Sequence, residues 1–451
     1  MNCKTGLYVV TSCFLGTQLC TAQGPITPTA APAPTMKTLQ EMEPRGMIKS
    51  VPITITQPGS YYFTTNLFCY SSSTNAITVN ASDVTIDMRG FLLVNNASGS
   101  LNGISSMFPN LKVFNGVILE FSGGSGIRGV GNQTIVRDVK VENNNIGLEV
   151  GNVARIDSVS ALENNSDGII CGSGCVLNGC RTYLNVGDGV KVGPSSILTQ
   201  CANLNNFSSG IHIIGSTGLE AEFESCAVID KCTASFNQQH GILAESGANI
   251  MNCAANGNGF FETFSGSHGI FISTLTPTSP NSEGSIVRNC TANNNKNDGI
   301  RVSNNTEVIG NSASGNGQGP PMGSTSWAGI SAYGDNNLIK ENVTASNIGD
   351  ALYWNVSGIL VDGNKNRIES NHSSGNAFLA YEVLTANGLN FIVKNTAYGT
   401  PAGSDYSIVA GNFAGTIITP TGNALAIPPN NNSGLGITAG VTDTPWANFD
   451  D

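Results

Sequence analysis

Charge is scarce in this chain. Only 11% of its 451 residues are Asp, Glu, Lys or Arg, and the 20 basic ones form no run. At a net charge of −11 it lacks the concentrated basic surface that phosphate backbones require, which argues against nucleic acid as a partner. No apolar stretch reaches the ~18–20 residues of a bilayer span. The 8 Met and 4 His are scattered, so no soft-metal cluster of Met and His is on offer. What abounds is Gly, at 54 residues, with Asn and Ser beside it, a composition suited to many short strands joined by turns.

The first residues read as a secretory signal. Lys4 gives a basic start, residues 6–19 an apolar stretch, and Cys20-Thr21-Ala22 small residues for cleavage before Gln23. A membrane anchor would need a longer stretch, and Cys20 lacks the small residues that precede a lipidated cysteine. Residues 1–22 are therefore expected to be a signal peptide, and 23–50 a Pro/Ala/Thr-rich lead-in with no core of its own. The expected location is secreted, cell surface or periplasm.

Along most of the chain Gly is followed by Ile, Leu or Val: at Gly103, Gly126, Gly147, Gly168, Gly189, Gly210, Gly241, Gly269, Gly299, Gly329 and Gly358. The spacing is 21 residues from Gly147 to Gly210, then 31, 28, 30, 30 and 29. A period with tolerated insertions marks a solenoid, which can exceed ordinary domain size because each unit packs only on its neighbours. Within a unit, Gly189-Val190-Lys191-Val192, then residues 197–201, then a segment ending near Asn206 alternate apolar and variable residues. That is the strand period of two. The expected fold is all-β: a right-handed, single-stranded parallel β-helix of about 11–12 coils with three short strands each.

Two columns set the register. Twelve residues after the glycine comes Val159, Cys180 or Cys201, continued by Cys232, Cys253, Cys290 and Asn311. Five residues on comes Asn164, Asn185, Asn206, Asn237, Asn258, Asn295 and Asn316, extended by Asn347 and Asn376. Coils ~4.8 Å apart place like side chains on one another, and stacked amides can donate and accept along the column. The chain's 12 Cys admit disulfides in an exported protein. The stacked ones point inward, where a thiol packs as a small hydrophobe. Cys171 and Cys175, flanking a Gly-Ser-Gly turn, are the pair best placed for a bridge, and no His stands at zinc-ligand spacing from them. Residues 51–102 are expected to be an N-terminal cap and first coil, 103–395 the repeats, and 396–451 a C-terminal cap and tail protecting open strand edges.

The Gly-Ile and Asn-column repeat resembles the parallel β-helix repeats of the pectin-lyase-like superfamily over about residues 76–395. Pro58-Gly59-Ser60-Tyr61-Tyr62, leading into Val84-Thr85-Ile86-Asp87 and Gly90-Phe91, resembles the entry to bacterial right-handed β-helix proteins of largely unassigned function. The superfamily includes pectate lyases, polygalacturonases, alginate epimerases and lyases, and noncatalytic surface proteins, so the resemblance implies a fold and leaves the activity open. Only His240-Gly241 and His268-Gly269 are similar to the polygalacturonase Gly-His-Gly. The paired acidic motifs of those enzymes, the Asp-Pro-His-Asp of alginate epimerases and the Trp-Ile-Asp-His of pectate lyases are absent.

The insertions point to a site. Two follow the Gly-Ile strand, at 216–225 and 274–284, and three precede it, at 259–267, 317–327 and 348–357. Such loops bracket one strand stack and are expected to roof a cleft over its outer face. They carry Phe260, Phe261, Phe264, Trp327, Tyr353 and Trp354, either to stack on sugars or to pack among themselves. The outward column of the strand is Lys191, His212, Leu243, Phe271, Arg301 and Ser331. Before each glycine stands another: Asp188, Ser209, His240, His268 and Asp298. His240, His268, Asp298 and Arg301 are the candidate catalytic set, since histidines between carboxylates can do acid/base work or hold a divalent cation such as calcium. The recurrence of Asp before the glycine also fits a purely structural turn. Lys191, His212, Phe271, Phe260, Phe261, Trp327, Tyr353 and Trp354 are the candidate substrate-binding set. No other cofactor is indicated. The leading expectation is a protein that binds or processes an extended polysaccharide, with uronate-containing polymers among the candidates, as a lyase or glycoside hydrolase if it is an enzyme. The alternative is a noncatalytic cell-surface or matrix protein.

Overall fold

In the computed structural model the residues described are 44–451, apart from 98, 100, 216–225, 246, 261–265, 274–283, 320–325, 349–355, 401–404, 416, 419–446 and 451. The chain divides into residues 1–44 and 45–451, and the repeat lies wholly within the second. The expected signal peptide, most of the lead-in and most of the C-terminal tail fall outside the described residues.

Short strands of alternating burial follow one another, and the described residues contain no helix. Fifteen of them, from Ile53–Ile55 to Tyr406–Ile408, make one all-parallel sheet. Its rungs pair in register at Ile127, Leu148, Ile169, Val190, Ile211, Ile242, Ile270, Ile300, Ile330 and Ile359. Those side chains are all buried and form the spine of the core. The other sides of each coil belong to a 22-stranded and a six-stranded sheet. In the early coils both of those sides belong to the 22-stranded sheet, because Lys112–Leu119 and Ile135–Glu142 run round a corner as single strands, bent at Asn115 and Asp138 with positive φ. Parallel strands joined by crossovers wind to the right. The chain is a right-handed parallel β-helix.

The stack is longer than the glycines indicate. Ile53–Ile55 and Ile77–Val79 pair in register below Ile104–Ser106, and Tyr381–Val383 and Tyr406–Ile408 continue it above Gly358. Ala76 and Ala380 stand where a glycine would, so the period was invisible there. Gly46–Ile48, expected within the lead-in, is a strand paired to Gly59–Phe63.

The asparagine column is a continuous chain of amides. From Asn144 through Asn164, Asn185, Asn206, Asn237, Asn258, Asn295, Asn316 and Asn347 to Asn376, each Nδ2 donates to the next Oδ1 at 2.7–3.2 Å. Each Oδ1 also accepts the preceding rung's main-chain N–H, as Asn237 does from Asn206 at 3.0 Å. The residue before each rung has positive φ, for example Asn205 at 52° and Phe236 at 59°, so the column fills the inside of a sharp bend. There the bent backbone cannot satisfy its own groups. Two further columns appear, Asn311–Asn342–Asn371–Asn395–Asn448 and Asn337–Asn366–Asn390–Asn412. The first takes over where the cysteines end, with the Cys290 N–H donating to Asn311 Oδ1 at 2.8 Å. Cys180, Cys201, Cys232, Cys253 and Cys290 are buried free thiols. Cys171 and Cys175, the pair best placed for a bridge, are free as well, and the Cys175 thiol donates to the Gly151 carbonyl at 3.4 Å.

Candidate functional site

The outer face of the fifteen-stranded sheet carries three of the chain's four histidines. Its central column runs in register through Lys191, His212, Leu243, Phe271, Arg301, Ser331, Leu360 and Glu382. With a strand period of two, the residue two places on shares that face. This adds Glu245 beside Leu243, Ser273 beside Phe271 and Tyr333 beside Ser331.

The column before the glycines is a hydrogen-bonded ladder. Asp167 Oδ1 accepts the Asp188 N–H at 2.6 Å, and Asp188 Oδ1 accepts that of Ser209 at 2.9 Å. His240 Nδ1 accepts from His268 N–H and His268 Nδ1 from Asp298 N–H, both at 3.2 Å, and Asp298 Oδ1 accepts from Ala328 N–H at 2.6 Å. Asp Oδ1 and His Nδ1 stand the same number of bonds from Cα, which is why these two residue types alternate here. Accepting at Nδ1 places the imidazole proton of both histidines on Nε2.

Three coils bring most of the candidate catalytic set together. The His240 and His268 rings stack at 5.4 Å between centroids, and Phe271 lies 5.3 and 5.1 Å from them. Trp327 meets His268 edge-on at 6.0 Å. Asp298, fully buried, has Oδ2 3.2 Å from His268 Nδ1 and 3.8 Å from Arg301. The Arg301 guanidinium lies over Tyr333 at 4.2 Å and Phe271 at 5.6 Å. Because His268 Nδ1 already accepts a main-chain N–H, Asp298 Oδ2 has no hydrogen bond, and neither do the buried Trp327 Nε1 and Ser331 Oγ. Three buried polar atoms without partners on adjacent coils are uncommon in a finished structure.

A second group lies toward the N-terminal end of the same face. His212 Nδ1 is 2.8 Å from Asp188 Oδ2, and Lys191 is its in-register neighbour. Burial pushes the Asp188 carboxyl up, but the His212 hydrogen bond and charge, with Ser208 and the Ser209 N–H, outweigh it and hold the group below its usual range. Glu245, on the next strand, is pushed up to about 7 by burial. Glu245 and Tyr333 are not among the sequence candidates, because the expected column takes one outward position per strand. Counting two residues on from Leu243 and Ser331 would have found both.

Trp327 was expected on a loop roofing the cleft. It opens strand Trp327–Ala332 instead and is 4% exposed, so its ring packs on His268 and presents no free face to a sugar. Phe260 is 44% exposed at the edge of an insertion. Phe261, Phe264, Tyr353 and Trp354 lie outside the described residues, as do the central parts of all five insertions. Among the described residues no three His, Cys, Asp or Glu side chains converge as a metal site.

Burial lowers His240 and His268, with the Asp298 contact only partly opposing it at His268. Neutral in the fold, they take up protons more readily in the unfolded chain. Their contribution is therefore full above the free-histidine value of ~6.5 and lost as pH falls below it. Raised Glu245 has the opposite sign: its contribution is full below ~4.3 and lost as pH rises toward 7. Denaturant midpoints should be lower at about pH 5.5 than at about pH 7.5, and Glu245→Gln should widen the gap. A wild-type midpoint that rises on acidification would contradict the neutral, buried histidines.

No family model and no curated protein matches this chain. Solved structures do. The Azotobacter vinelandii mannuronan C-5 epimerase AlgE4 A-module is 13% identical over 73% of this chain and 89% of that one, with a TM-score of 0.40. The siphovirus 9NA tailspike receptor binding domain is 12% identical over 83% and 80%, with a TM-score of 0.47. A periplasmic alginate epimerase is 11% identical over 76% and 77%, with a TM-score of 0.36. The right-handed parallel β-helix rests on the strand pairing of this chain itself. At such identities the likeness extends to the fold alone, and the site must be argued from its own residues.

Proposed function

We propose that this protein is exported and binds an extended polysaccharide, uronate-bearing polymers included, along the outer face of the fifteen-stranded sheet. The observation that carries the reading is the stretch from Lys191 to Ser331. It presents cations, an aromatic ring and unpartnered buried polar atoms at successive coils, in the part of the sequence where the repeat is lengthened by five insertions. Coils ~4.8 Å apart offer contacts at intervals comparable with the advance of a sugar chain. Arg301 held over Phe271 and Tyr333 gives a rigid cation for an acidic sugar. Tailspikes and alginate epimerases share this fold, which accords with a glycan partner without specifying one.

A glycan array followed by titration tests the reading. Phe271→Ala and Arg301→Ala should each weaken retention of the best ligand about tenfold, or ~1.4 kcal/mol, with the melting curve little changed. Retention of no glycan, or variants that bind as the wild type does, would favour the noncatalytic scaffold reading. One observation already favours that reading for His240 and His268. Their Nδ1 atoms are occupied by main-chain N–H groups, so both have a structural task whether or not they touch substrate.

A further inference from the structure

We propose that Asp298, Ser331 and Trp327 form a subsite that reads one free hydroxyl of a bound sugar, a role that rests on the polysaccharide reading of this face. Along the sheet, the residue before each glycine position neighbours the residue two places beyond the glycine position of the next coil. Three such pairs close directly: Ser125 Oγ to Glu149 Oε2 at 3.2 Å, His212 Nδ1 to Asp188 Oδ2 at 2.8 Å, and Ser357 Oγ to Glu382 Oε2 at 2.7 Å. Counted outward from Cβ to the bonded atom, each pair supplies six side-chain atoms, whether serine with glutamate or aspartate with histidine. Asp298 and Ser331 hold the equivalent positions, because Asp298 precedes Gly299 and Ser331 lies two residues beyond Gly329. Aspartate and serine supply only five such atoms. The pair falls one atom short, and Asp298 Oδ2 and Ser331 Oγ are both left without a hydrogen bond in fully buried residues.

The missing atom has a definite chemistry. It must donate to the Asp298 carboxylate and accept from a donor on its other side, which a hydroxyl oxygen does. The third unpartnered atom, Trp327 Nε1, is such a donor and cannot accept. Trp327 adjoins the same carboxylate, since the N–H of the next residue, Ala328, donates to Asp298 Oδ1 at 2.6 Å. A cation would meet Trp327 Nε1 and the Arg301 guanidinium, which lies 3.8 Å from Asp298 Oδ2. A sugar carboxylate would meet Asp298 itself. The group read here is therefore a neutral hydroxyl, whatever charge the polymer carries at other coils. The way in runs past the Arg301 side chain, 24% exposed, which lies over the half-buried rings of Phe271 and Tyr333. A buried water offers the same chemistry, and the experiment separates the two.

Polygalacturonate, polymannuronate and amylose are the probes, each with free hydroxyls and as its O-methyl ether, and the readout is Kd by calorimetry. At least one free-hydroxyl probe should bind. Its ether should bind about tenfold more weakly or worse, because an ether oxygen accepts but cannot donate to Asp298. Asp298→Asn keeps the Oδ1 that accepts the Ala328 N–H and replaces Oδ2 by a donor. It should shrink that ratio about tenfold or reverse it, a change of preference that mere loosening of the fold would not give. Ser331→His restores the reach of the Asp188–His212 pair. It should raise the melting temperature and weaken the free-hydroxyl probe about tenfold, and it decides alone should Asp298→Asn fail to fold. A ratio unchanged in Asp298→Asn would overturn the subsite and leave the binding reading standing. So would a Ser331→His variant that melts higher yet binds as the wild type does, since the gap would then hold a buried water only. Binding of no probe would remove both.

Discussion

Asn206→Leu lowers the unfolding free energy by about 3 kcal/mol. Asn206 Oδ1 accepts the Asn185 main-chain N–H at 3.2 Å and Asn185 Nδ2 at 2.9 Å, while its Nδ2 donates to Asn237 Oδ1 and Thr182 Oγ1. Leucine removes all four. Asn185 Nδ2 keeps the Ala161 carbonyl, and Asn237 Oδ1 keeps the Asn206 N–H. The Asn185 main-chain N–H keeps nothing, at a bend closed to water. One orphaned buried donor costs ~1–3 kcal/mol, and the weakened rungs on either side add to it. Cys180→Val, in the neighbouring column where Val159 already stands, should cost less than about 1 kcal/mol. Denaturant midpoints of the two variants check the contrast, and equal losses would mean that the amide column is not what closes this bend.

Gly189→Ala is expected to be about as damaging, for a steric reason. A Cβ there would lie 2.6 Å from Asn206 Nδ2 and 2.6 Å from the Gly210 carbonyl oxygen, and against Thr182 Oγ1. The Gly210 oxygen accepts the Val190 N–H at 3.0 Å, so it cannot retreat without opening the sheet. Overpacking of this kind costs ~1–3 kcal/mol, and the glycine column and the asparagine ladder are coupled through it. Gly174 has the other reason for being glycine: φ is +67° and a Cβ would meet nothing nearer than 3.9 Å. Gly174→Asn should therefore stay within about 1 kcal/mol of wild type. Thermal melting of the pair separates the two causes, and an unaffected Gly189→Ala would refute the close approach.

The repeat was legible because side chains at one coil position meet only their own kind, so a structural demand is repeated as a residue type. Glycine marks where the ladder approaches the backbone, and asparagine marks the bend. The glycine signature stops short of the end coils, where Ala76 and Ala380 meet the same demand without it. Asn311 is legible as the continuation of the cysteine column, but its run on through Asn342, Asn371, Asn395 and Asn448 is not, nor is the Asn337 column, because both serve only the later coils. At the candidate site the central outward column and the stacking of His240 and His268 could be read from alternation alone. The ladder role of the pre-glycine residues needed atomic positions, because it depends on which imidazole nitrogen faces the next main-chain N–H. Trp327 was misplaced because loop and strand meet at Ser326, and nothing in the local sequence marks where pairing begins.

A co-crystal structure with the best-retained oligosaccharide tests the central claim most directly. The account predicts a sugar chain along the outer face of the fifteen-stranded sheet, in contact with Lys191, His212, Phe271 and Arg301. Occupancy elsewhere would contradict it, for instance in the concavity of about 310 Å³ lined by Leu162, Arg181, Tyr183 and Leu204 on another side of the coil.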